Sequence, residues 1–149
     1  MRKDSIFNDE KSYFNATYII RKGFEKYLKE HGGDLNINRA ETRFLAEIYY
    51  NEGISQREIA HNLYVSEANI AKTYKKLESK GLLYKTIDEK NNTRRQLYLT
   101  EKGETAFEDI ICIYEGFYKL IVKDYPKEKL ELTNQVLNDL VKETLKLLK

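Results

Sequence analysis

The chain has 149 residues, with 26 Lys and Arg against 24 Asp and Glu and a single Cys. A chain of this length makes one domain that buries roughly two-thirds of its unfolded surface. It has no apolar run of about eighteen residues for a membrane span, the opening MRKDSIFNDE has no apolar core for a signal peptide, and one Cys excludes an internal disulfide, so a soluble cytoplasmic protein is expected.

From Asp4 to Glu30, Ile6, Phe7, Phe14, Tyr18, Ile20, Phe24, Tyr27 and Leu28 recur at three- to four-residue intervals. This spacing predicts one long amphipathic helix ended by Gly32-Gly33. Its apolar surface is wider than one small domain readily covers, which points to a second copy. Asn38-Arg39-Ala40-Glu41 is a helix cap followed by Glu at the third helical position, and Phe44, Leu45, Ile48 and Tyr49 form the inner face up to Gly53. Ile54 is placed to form a minimal strand beside a later hairpin.

Ser55-Gln56-Arg57-Glu58 repeats the capping pattern and starts a short helix with Ile59, Ala60 and Leu63 inward. Only Tyr64 and Val65 separate it from Ser66, a second cap, behind which Ile70, Tyr74 and Leu77 repeat at helical spacing until Gly81. Two short helices joined so tightly form a helix-turn-helix, whose second helix enters a major groove. Its outward positions are then Ala68, Asn69, Lys72, Thr73, Lys75, Lys76 and Lys80. Asn pairs bidentately with adenine, Lys reaches guanine or phosphate, and Ala and Thr offer methyl contacts to thymine. Residues 82–88 and 96–100 read as strands around the polar stretch Glu89–Arg95, a hairpin whose basic tip can reach a minor groove.

Charge distribution supports the same surface. Residues 1–65 carry ten basic and ten acidic side chains, residues 66–95 carry eight and four, and residues 96–149 carry eight and ten. The positive excess therefore falls on the second helix and the hairpin, where phosphate binding needs it. Thr100 caps a further helix over Glu101–Lys123 with Phe107, Ile110, Ile111, Tyr114, Phe117, Tyr118 and Ile121 as its apolar set. Pro126 fits the first turn of a last helix carrying Leu130, Val136, Leu137, Leu140, Val141, Leu145 and Leu148. A coiled-coil tail competes with dimer formation as the use of that stripe.

Four blocks in order carry a resemblance: Ser55–Ala60, Val65-Ser66 with Asn69–Lys72, Leu77–Leu82, and Leu99–Gly103. Together they resemble the MarR family of multiple-antibiotic-resistance regulators over about a third of the chain. The resemblance implies a mostly α fold with a small β-hairpin wing. A winged helix-turn-helix lobe over 35–100 would be flanked by dimerisation helices over 1–34 and 101–149, in one domain. The family's wing carries an Asp-x-Arg pattern. Aligned without gaps from Leu99-Thr100, it falls here on Asn91, Asn92 and Thr93, which lack both charges, while Arg94 and Arg95 lie beside it.

There is no phosphate-cradling Gly-rich loop, HExxH or CxxC, and His31, His61 and Cys112 are far apart in sequence, so no enzyme, cofactor or metal site is expected. Cys112, within an apolar helical run, is expected to be buried and inert. Twelve Tyr and six Phe suggest a pocket for the small aromatic effector that the resemblance implies, although Tyr13, Phe14, Tyr18 and Phe24 sit at spacing that favours the core. The expected function is a homodimeric regulator of transcription, a repressor binding double-stranded DNA at a pseudo-palindromic operator. Asn69 and Lys72, with Ala68 and Thr73, would face base edges, Gln56, Ser66, Lys75 and Lys76 phosphates, and Arg94 and Arg95 the minor groove or backbone. The competing reading is a winged-helix module that binds a protein, against which the lysine cluster argues.

Overall fold

The computed structural model describes residues 12–148. The elements in order are α1 (Tyr13–His31), a 3-10 turn (Gly33–Leu35), α2 (Arg39–Tyr50), α3 (Gln56–Leu63), α4 (Glu67–Ser79), β1 (Leu83–Ile87), β2 (Arg95–Leu99), α5 (Glu101–Val122) and α6 (Lys127–Leu147). The chain separates into two compact units, residues 1–114 and 115–149. The expected first helix is present from Tyr13, and the positions of Ile6 and Phe7 lie outside the described residues.

The core of the first unit is the expected one. Phe44, Leu45, Ile48, Ile59, Leu77 and Leu97 are fully enclosed, joined by Ile70, Tyr74, Leu82, Leu83, Phe107 and Ile110. The helices start where their caps predict. Asn38 with Glu41, and Ser55 with Glu58, make reciprocal capping boxes, each satisfying backbone donors that the helix leaves open. Ser66 Oγ accepts the Asn69 amide at 3.2 Å to start α4. The hairpin is a two-stranded antiparallel sheet with Leu83 opposite Leu99 and Ile87 opposite Arg95. Gly53 donates to Leu97 O and Leu97 to Ile54 O, so the segment before α3 is bonded to β2, but the strand expected at Ile54 does not form and the sheet keeps two strands.

The junction between hairpin and α5 explains why Thr100 and Gly103 stand where they do. Thr100 Oγ1 accepts from the Gly103 amide at 3.0 Å and donates to Gly81 O at 2.7 Å, closing α4 and opening α5 with one hydroxyl. A Cβ on Gly103 would lie 1.9 Å from Leu82 O, so only glycine lets the helix approach that closely. Gly81 has φ +70, the left-handed conformation expected after α4.

Three further expectations need correction. Tyr13, Phe14 and Tyr18 are not core residues but stand about half exposed, because the part of α1 that packs inward is its C-terminal end at Phe24 and Leu28. Cys112 is exposed rather than buried, since α5 turns Phe107 and Ile110 inward and leaves position 112 outside that stripe. Pro126 is the N-cap of α6 and not a residue of its first turn.

The second unit holds the end of α5 and all of α6. Phe117 is buried, but no residue of α6 is. Val136, Leu137, Leu140 and Val141 form a stripe at helical spacing that is 36–54% exposed.

Candidate nucleic-acid interface

The surface proposed from sequence is built on α3, α4 and the hairpin. Tyr64, at φ 54, takes the left-handed conformation that ends α3, and the Val65 amide returns to Ala60 O at 3.1 Å. That turn sets α4 across α3, and Ile70, Tyr74 and Leu77 lock its inner face. The hydroxyl of Tyr74 donates to Glu78 at 2.5 Å, and Lys85 stands 5.1 Å over its ring. Burial and the Glu78 carboxylate push the Tyr74 phenol well above its ordinary value, so it stays a neutral donor.

Ser66, Ala68, Asn69, Lys72, Lys75 and Lys76 are exposed, as expected. Asn69, Lys72, Thr73 and Lys76 recur at helical spacing along one row. Thr73 is half-buried, its hydroxyl donating to Asn69 O at 3.0 Å, and Gln56 is half-buried at the start of α3. The Ser66 oxygen is engaged as a cap but keeps its proton to donate. The row thus offers one amide and two ammonium groups, with the exposed Lys75 and the start of the helix beside it. Those groups suit base edges and phosphates.

Lys80 does not belong to it, contrary to the sequence reading. Its ammonium donates to Glu41 Oε2 at 2.8 Å and to Asn36 O at 2.7 Å, and the Glu41 side chain is only 4% exposed. A buried carboxylate needs a paired cation, and Lys80 supplies it. The signal was present: Lys80 follows Leu77 by three residues, on the inward stripe.

The hairpin tip is organised by its own polar side chains. Asp88 accepts the Lys90 amide, Asn91 accepts the amide and hydroxyl of Thr93, and Arg95 donates to Asn92 O at 2.7 Å. Asn91-Asn92-Thr93 therefore form a turn. Arg94 reaches away from it to both carboxylate oxygens of Glu58, at 3.1 and 3.2 Å. Sequence reasoning did not find this pair, because 36 residues separate the partners and no periodicity relates them. Hydrogen bonds from the Ser55 hydroxyl and amide, and then the Arg94 charge, hold the Glu58 carboxyl below the usual carboxylate value. Among the described residues no cluster of His, Cys, Asp and Glu is placed to hold a metal, and no helix is long and apolar enough to cross a membrane.

Comparison with known proteins agrees with this architecture. The family model described as "MarR family" matches residues 37–94. An uncharacterized HTH-type transcriptional regulator, YybA of Bacillus subtilis (strain 168), is 36% identical over 74 residues, 50% of this chain and about half (49%) of that relative's length. A crystal structure of MarR superposes with a TM-score of 0.80 at 24% identity, covering 99% of this chain and 96% of that one. A mutant MarR from E. coli complexed with operator DNA gives a TM-score of 0.76 at 17% identity, with 91% and 98% covered. At these identities the two structures speak for the fold.

Proposed function

We propose that this chain is a MarR-type regulator of transcription, a reading supported by the family match over residues 37–94, and that it represses by binding a pseudo-palindromic operator as a homodimer. The observation that carries the DNA reading is the row on α4. Asn69, Lys72, Lys75 and Lys76 are exposed together, while the one lysine of that helix region with a structural task, Lys80, is withdrawn from it. In this reading α4 lies in a major groove and the hairpin follows the neighbouring minor groove. Two-fold symmetry then asks for half-sites about ten base pairs apart. That one relative was captured on its operator supports the same use of the fold here.

The dimer rests on a separate observation. An amphipathic helix draws its stability from packing its apolar face, and α6 has no buried residue in a single chain. A second copy, covering the stripe of Val136, Leu137, Leu140 and Val141, supplies that packing. Release by a small aromatic effector completes the proposal. A recess of about 560 Å³ lined by Tyr49, Tyr84 and Tyr98 together with Glu52, Glu104 and Glu108 spans α2, the hairpin and α5, where an occupant bears on the hairpin's position. Such a ligand shifts DNA affinity only by binding one arrangement better than the other.

Electrophoretic mobility shift with DNA from upstream of the chain's own coding region tests the central claim. A specific complex that weakens steeply with salt is expected, with that specificity lost when Lys72, Lys75 and Lys76 are all changed to Ala. Equal affinity of that triple variant would remove α4 from the DNA. A module that binds protein instead would give no salt-sensitive complex at all.

A further inference from the structure

Two glutamates in this chain do the same local task and then diverge. Glu41 and Glu58 each close a capping box, and each also pairs with a cation far along the chain, Lys80 at 39 residues and Arg94 at 36. The first pair is enclosed and serves the core. The second stands in the open, its side chains 42% and 50% exposed for Arg94 and Glu58, between the start of α3 and the loop end of the hairpin.

An ordinary exposed ion pair is weak because two flexible side chains must both be ordered to make it. Here one partner is ordered already. Glu58 Oε2 accepts from the Ser55 amide at 2.8 Å and from the Ser55 hydroxyl at 2.7 Å, so the carboxylate is fixed before Arg94 arrives. The hairpin is fixed against the same segment by the Gly53–Leu97–Ile54 hydrogen bonds, immediately before Ser55. A shallow recess of about 310 Å³, lined by Gly53, Ile54, Glu58, Asn62 and Arg94 among others, lies at this junction. Arg94 engages Glu58 through Nη2 alone, which leaves Nε and Nη1 for another acceptor.

We propose that Glu58 is a positioning residue for the DNA contact of the wing, holding the Arg94 guanidinium at a set angle so that its remaining donors meet the duplex. The inference rests on the DNA-binding reading above and adds to it a residue from outside the hairpin. It carries an unusual sign. Removing an exposed carboxylate from a DNA-facing surface ordinarily strengthens binding, because repulsion with phosphate is relieved. Removing the charge of Glu58 should weaken it.

Glu58→Gln is the suitable variant, because Gln also closes a capping box and α3 is retained. Operator affinity should fall at least five-fold in Glu58→Gln while the salt slope stays near that of the wild type. Arg94→Ala should lower affinity and reduce the slope by about one. The double variant should bind like Arg94→Ala alone. Operator affinity in Glu58→Gln equal to or above wild type, with Arg94→Ala still impaired, overturns the positioning role and leaves the DNA reading intact. Arg94→Ala with unchanged affinity and slope takes the wing arginine off the DNA, and the positioning role with it. Circular dichroism of Glu58→Gln matching the wild type excludes a loss caused by unfolding, and Glu58→Asp, whose shorter reach misses the guanidinium, should behave like Glu58→Gln.

Discussion

In the first unit Phe44, Leu45, Ile48, Ile59, Leu77 and Leu97 are sealed from solvent, whereas along α6 of the second unit every residue remains accessible. Both sets of residues follow the same helical or alternating patterns in sequence, so pattern alone does not distinguish a face that becomes enclosed from one that stays exposed. The first unit closes because several short elements meet at caps and turns around one centre. The second holds only the end of α5 and α6, and its stripe of Val136, Leu137, Leu140 and Val141 stays exposed.

The largest effect should come from the second unit. Val136→Glu combined with Leu140→Glu is expected to abolish the dimer outright. Sedimentation at micromolar concentration should move from twice the 17.7 kDa chain mass to that mass. A wild-type chain that sediments as a monomer would erase the comparison, since the stripe would then be open by nature. In the first unit, Phe44→Ala should cost about 3–5 kcal/mol through the cavity it leaves, read by chemical denaturation. Lys80→Ala strands the buried Glu41 carboxylate and should cost about 3 kcal/mol, with the salt slope of DNA binding unchanged. That outcome separates Lys80 from its neighbours Lys72, Lys75 and Lys76. Asn69→Ala should leave stability alone and weaken operator binding by about 1–3 kcal/mol, relaxing one base position.

The smallest effect concerns pH. The Glu58 carboxyl lies below its ordinary value in the folded chain, first through the Ser55 hydrogen bonds and then through Arg94. Its contribution to stability is therefore fully present above the usual carboxylate range, and is lost as pH falls through the lowered folded value. A carboxylate titration followed by NMR should place Glu58 below 4.5, and Arg94→Ala should raise it only in part. A Glu58 that titrates at its ordinary value would show the pair to be absent in solution.

Much of this molecule was determined by its sequence. Asn38, Ser55 and Ser66 start helices because their side chains satisfy open backbone donors within three residues. Gly81 ends one because its neighbours require a left-handed residue there. The positive excess on residues 66–95 was likewise plain from counting. These are local effects, complete within a turn or two of chain. What tertiary structure alone decided is the partner of each charge and the cover of each face. Lys80 turns inward to Glu41, Arg94 joins Glu58 instead of a hairpin residue, Gly103 admits the Leu82 carbonyl, and Tyr13, Phe14 and Tyr18 stay outside the core. Each depends on segments that only folding brings together. A side chain's spacing says which way it points, and the fold decides what it meets.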